Sequence, residues 1–123
     1  MAARVGDYIR QSWHRPWSWG EVDCTLWVAD WCLLHWGLDP AARWRGRYAT
    51  EVEMRRITGG DLPGFLAQEC PLPQRAAARE GDVAVIAVAG HEVAAIRHGE
   101  KWAFRKPRGV GLVRAEAIQI WGR

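Results

Sequence analysis

Cys24 closes the run Pro16-Trp17-Ser18-Trp19-Gly20-Glu21-Val22-Asp23-Cys24, and a long apolar stretch begins directly after it. A cysteine attacks as its thiolate, so its surroundings decide whether it can do chemistry. Asp23 is a good N-cap, since a carboxylate there accepts from the first free backbone N–H groups, and Gly37 with Asp39-Pro40 supplies a stop. These signals predict a helix over Thr25 to Trp36 with Cys24 in its first turn. Unpaired N–H groups and the positive end of the helix dipole favour a thiolate there, and the same N–H groups can hold an oxyanion. The alternative is that Cys24 is a small buried hydrophobe.

A nucleophilic thiol also needs a proton acceptor, and the chain has four histidines. His91 precedes a β-prone run and is the candidate base. His98 lies in a predicted turn, His98-Gly99-Glu100. His35 is about three turns along the helix from Cys24, and His14 falls in a loop, so both read as structural or solvated. No His, Cys or carboxylate group has metal-ligand spacing, and a thiol mechanism requires no cofactor.

The elements that must position these groups follow from periodicity. Val5, Tyr8, Ile9 and Trp13 recur at helical spacing, which predicts a short amphipathic helix from Ala3 to Ser12, broken by Pro16. The helix after Asp23 is apolar on most sides and is therefore expected to be buried. Thr50 and Glu53 form a capping-box pattern for a third helix ended by Gly59-Gly60, and Asp61 to Gln68 forms one more short helical turn. Pro71 and Pro73 keep the next segment irregular. The runs 83–88, 93–97, 101–104, 110–113 and 118–121 are β-prone and separated by glycine-bearing turns. Helices first and strands later predict an α+β domain with a mostly antiparallel sheet.

A chain of 123 residues fits a single domain spanning 1–123. Three cysteines, Cys24, Cys32 and Cys70, are too few and too irregularly spaced for a disulfide scaffold. The longest apolar stretch, Leu26 to Leu34, is interrupted by Asp30 and is shorter than the roughly 20 residues that span a bilayer. Arg4, Asp7 and Arg10 interrupt the place a signal peptide would occupy, so synthesis in the bacterial cytoplasm is expected. The net charge of +3 permits an anionic partner without demanding one. Basic residues flank Trp44 and Trp102, a pattern seen in strand-binding surfaces, but solvated loops and core tryptophans explain it equally well, so nucleic acid is not the expected partner. Of nine tryptophans, Trp13, Trp17, Trp44 and Trp102 exceed what one small core needs, and some are expected in a cleft or at a partner surface.

The stretch from Pro16 to Cys24 resembles the signature of NlpC-type cell-wall cysteine peptidases, with the register matching at Pro16, Trp19, Gly20, Asp23 and Cys24. Gly81-Asp82 before an apolar strand is similar to the same family. The run from Trp19 to Trp31, the segment from Gly37 to Tyr48, Thr58-Gly59-Gly60 and the terminal Trp121-Gly122 extend the resemblance to small NlpC-like proteins of phage, prophage and gene-transfer-agent tail clusters. The resemblance implies a papain-like NlpC fold, with the nucleophile helix packed on the antiparallel sheet. It implies Cys24 and His91 as catalytic residues, with Asp23, Trp17, Trp19 and Gly20 shaping the oxyanion and substrate site. The implied substrates are peptidoglycan stem peptides, and the implied partners are other tail or tail-tip proteins in an assembled virion.

Several positions depart from that pattern. Thr25-Leu26 stand where the family has Ser-Gly, Trp17 replaces a tyrosine, and the family's histidine register falls on Val93, two residues after His91. The third polar position falls near Arg105, which cannot accept a proton. Two functions therefore stay open. One is a tail-associated cysteine peptidase or amidase. The other is a catalytically degenerate tail-tip component that keeps the fold for structure or binding.

Overall fold

The computed structural model describes residues 4–123 and has four helices and a six-stranded antiparallel sheet. The helices are α1 (Val5–Ser12), α2 (Cys24–Trp36), α3 (Glu51–Thr58) and α4 (Leu62–Glu69). The strands are β1 (Gln74–Arg75), β2 (Val83–Val88), β3 (His91–His98), β4 (Lys101–Arg105), β5 (Val110–Val113) and β6 (Ala117–Trp121), in the order β1-β6-β2-β3-β4-β5. This is the expected α+β class. The expected start of the first helix at Ala3 lies outside the described residues.

The caps act as their sequences demand. Asp23 caps α2, Gly37 ends it with φ 72°, and Gly59 ends α3 with φ 68°. Thr50 Oγ1 accepts from Glu53 N at 3.1 Å, while the Glu53 carboxylate reaches back to Ala49 N at 3.2 Å, one residue further than a capping box requires. Asp61 caps α4, which is a full two turns rather than one. Strand β1 was not legible as a strand, because a two-residue edge directly after Pro73 has no alternation to read.

Helix α2 has no exposed stripe over its first two and a half turns: Leu26, Trp27, Trp31 and Cys32 are completely buried. It is fixed on both sides. Trp31 Nε1 donates to Gly81 O at 2.8 Å, tying the helix to the turn before β2. On the α1 side, Trp27 Nε1 donates to Ser12 Oγ at 2.8 Å and Tyr8 Oη donates to Trp27 O at 2.5 Å.

The sheet has two distinguishable faces. Val83, Val85, Ala94 and Ile96 pack into the core built around α2. Ala84, Ile86, Ala95 and Trp102 form a second cluster on the opposite face, joined by Val88 and Val93. Trp44 and Trp102, expected among the tryptophans too numerous for the core, are buried in these two clusters. Trp13 is exposed, and Trp17 and Trp19 are half-buried.

Strands β2 and β3 pair without interruption from Val83↔Ile96 to Val88↔His91. Their turn is Ala89-Gly90, with positive φ at both positions (50° and 79°), the pattern of a two-residue type I′ hairpin. Ala89 is the one described non-glycine residue in the left-handed region, which an alanine side chain disfavours. Asn tolerates that conformation, so Ala89→Asn is expected to raise unfolding stability by about 0.5–1 kcal/mol. Urea denaturation checks this, and a lowered midpoint would contradict the turn assignment.

Candidate functional site

The site is built outward from a tight loop. Ser18 and Val22 exchange backbone hydrogen bonds of 2.8 and 2.7 Å, folding the chain back over Gly20. Gly20 has φ 84°, and a Cβ there would lie 1.9 Å from the carbonyl oxygen of Tyr48. Gly20 is therefore required twice, by backbone conformation and by the close approach of the segment after α2.

Asp23 is fully buried at the end of this loop. One carboxylate oxygen accepts from Thr25 N (3.1 Å) and Leu26 N (2.9 Å). The other accepts from Gly20 N (3.0 Å) and Tyr48 Oη (2.5 Å). Burial and the neighbouring carboxylate push the Tyr48 phenol far above its ordinary range, so its proton stays in place as the donor. Nothing in the local motif singles out Tyr48, which lies 25 residues from Asp23.

Cys24 begins α2 and is half-buried on the floor of a cleft of about 790 Å³. Its sulfur has one hydrogen-bond partner among the described residues, Thr25 Oγ1 at 3.8 Å. Burial raises the thiol to about 11, and the negative charge of Asp23 adds to the rise. Hydrogen bonds at the helix start, from the Thr25 hydroxyl and the Thr25 and Cys24 N–H groups, lower it by less than these two effects raise it, and the Thr25, Leu26 and Trp27 N–H groups return to Asp23. Burial thus opposes the thiolate that a helix start favours, and those three N–H groups are already engaged and unavailable to an oxyanion.

His91 lines the same cleft, on the β2–β3 hairpin. Directly paired residues share a face, and its partner Val88 belongs to the cluster on the sheet face away from α2. His91 and Val93 thus stand on that outer face by strand alternation, and the His91 ring is exposed. The unbroken β2–β3 register contains no bulge that would turn His91 toward α2. Glu92, paired with Ala87, has the parity of Ala94 and Ile96 and projects on the α2 side. The run from His91 to Ile96 is two polar residues followed by four apolar ones, so no alternation in the sequence marks Glu92 as facing that side.

The other imidazoles are occupied elsewhere. His35 stacks on Trp31 with centroids 4.6 Å apart, His98 Nδ1 lies 2.8 Å from Glu80 Oε2, and His14 is exposed. Arg105 is buried and donates to the carbonyl oxygens of Ser12, Arg15 and Lys106, fastening β4 to the end of α1. No group of three or more potential metal ligands occurs among the described residues.

The cleft walls are aromatic and charged. Trp17 and Trp19 meet edge to face, with centroids 5.1 Å apart, and Phe104 lies on the sheet side. On the α3 side Arg55 is held by Glu51 at 2.8 Å.

Removing the phenol's hydrogen bond from a buried carboxylate is expected to destabilise the fold by about 1.5–3 kcal/mol. Tyr48→Phe, measured by denaturant unfolding, checks this. An unchanged midpoint would show that the Asp23 network does not need its fourth donor.

No curated protein and no solved structure matches the chain. One family model does, over residues 1–122, described as a domain of unknown function. With the match running through α1, the Asp23-Cys24 loop and the whole sheet, the chain belongs to the DUF6950 family.

Proposed function

We propose that this protein is a phage-tail component with a papain-like NlpC fold whose cleft binds peptidoglycan stem peptides without cleaving them on its own. The observation that carries the reading is the state of Cys24. Its thiol is raised to about 11, its one hydrogen-bond partner among the described residues is the Thr25 hydroxyl, and the nearby histidine stands on the other face of β3. A cysteine hydrolase needs the thiolate and its base to act as a unit, and this arrangement supplies neither. The packing of α2 on an antiparallel sheet and the Asp23-Cys24 start at a cleft support the NlpC-like fold. The tail context, the partners in a tail tip and assembly from the bacterial cytoplasm rest on the sequence resemblance.

The cleft itself supports binding. Its volume suits a short peptide, and aromatic faces with a few charges on the walls are what a ligand site of that kind requires. One observation favours the second reading, a working peptidase or amidase: Cys24 and His91 line the same cleft. A rearranged hairpin tip would be needed to bring the imidazole to the sulfur.

The two readings separate in one experiment. Purified protein is titrated with a synthetic stem tetrapeptide by calorimetry, and the mixture is then followed by mass spectrometry. Binding with intact peptide, unchanged by Cys24→Ala or His91→Ala, is the expected result. Cleavage abolished by both substitutions would establish the peptidase instead.

A further inference from the structure

We infer that two copies of this chain pair along their β5 edges, antiparallel and two-fold symmetric about Leu112, so that their sheets become continuous. The pairing is independent of what the Cys24 cleft binds.

The sheet has two edges, and they differ. Strand β1 is two residues long and directly follows Pro73, which blunts it against a further strand. Strand β5 is longer, pairs with β4 in unbroken register and has no strand on its other side among the described residues. Its run Val110-Gly111-Leu112-Val113 holds neither a proline nor a charge, the residues that ordinarily protect an edge. Lys106 N donates to Gly109 O at 3.0 Å across the β4–β5 turn. Alternation from that bond turns the N–H and C=O groups of Gly111 and Val113 toward β4, and those of Val110 and Leu112 away from it. The outward groups are a template for one more antiparallel strand.

The side chains along this edge call for an apolar neighbour. Leu112 pairs with Ala103 and so stands on the α2 side of the sheet, yet it is 49 % exposed. Beside the strand, Trp13 is 44 % exposed and its ring lies so close to Gly109 that a Cβ there would be 2.9 Å away.

The flanking charges select a second copy as that neighbour. Arg108 and Glu116 lie equally far on either side of Leu112, are exposed, and enter no ion pair among the described residues, whereas Arg114 is held by Glu100 at 2.9 Å. A two-fold axis at Leu112 sets the two Leu112 side chains side by side and brings each Arg108 to Glu116 of the other copy. Leu112 then exchanges both backbone hydrogen bonds with its mate, and Val110 does the same with Arg114 of the other copy. The smallest slip that keeps outward groups paired sets Arg108 against Arg114 in one direction and Leu112 against Arg114 in the other. Only the symmetric register matches charge with opposite charge and leucine with leucine.

Sedimentation equilibrium of the full chain over a concentration series tests this. The mass is expected to rise from that of one chain to that of two, and no further. Leu112→Lys, which sets two ammonium groups side by side at the axis, is expected to leave a monomer at every concentration. Arg108→Glu and Glu116→Arg each turn both symmetry-related ion pairs repulsive, and each is expected to weaken association about tenfold. The double variant carrying both changes is expected to recover the natural affinity, which a variant damaged in folding would not do. A natural protein that stays monomeric throughout would overturn the inference. A dimer indifferent to Leu112→Lys would overturn β5 as the interface, and single charge variants that the double variant fails to rescue would overturn the register about Leu112.

Discussion

The buried carboxylate of Asp23 is the contact on which the rest of the site depends. It gathers donors from the loop before it, the helix after it and a tyrosine far along the chain. A buried charge without such partners costs several kcal/mol, so the loop, the start of α2 and the segment around Tyr48 can only be placed together. The 1.9 Å clearance that a Cβ on Gly20 would have from Tyr48 O makes the same junction sterically exact. Cys24, the next residue, inherits its position from this arrangement.

That inheritance has an electrostatic consequence. A helix start ordinarily favours an anion through free N–H groups and the dipole. Here an anion already occupies the start, and it is Asp23. A second negative charge on the adjacent sulfur would be repelled by the first, and burial adds to that cost. A working cysteine hydrolase would overcome such terms with an imidazolium at the sulfur. In this fold the sheet presents a carboxylate, Glu92, on the side of α2 and the imidazole of His91 on the other.

Much of this was legible in the sequence, for identifiable reasons. The caps of α2 and α3 and the ends of β2 and β5 follow from single residues with strong local preferences, such as Asp23, Gly37, Thr50 and Gly59. Cys24 at a helix start was readable for the same reason. The parity of β3 was not, because the strand begins at His91 and Glu92, where the exposed polar residues mask alternation. The surplus of tryptophans implied that some of Trp13, Trp17, Trp44 and Trp102 lie outside the core but not which: Trp13 is exposed, while Trp44 and Trp102 are buried. Tyr48 could not be linked to Asp23 locally, since their contact is set by tertiary packing.

The most direct test is the pH profile of Cys24 alkylation, followed by mass spectrometry of the labelled peptide in the folded protein. Because only the thiolate reacts, the rate reports its population. With the thiol raised from 9.0 to about 11, the logarithm of the rate should climb with unit slope through pH 9 and level off only near pH 11. The sign of the linked stability is fixed by the same shift. A folded-state pKa above the unfolded one stabilises the fold fully below pH 9, and that contribution is lost as pH rises through about 11. A rate that is already level between pH 6 and 8 would mean a thiolate held by an imidazolium, and would contradict the reading of this cleft as a binding site with a silent cysteine.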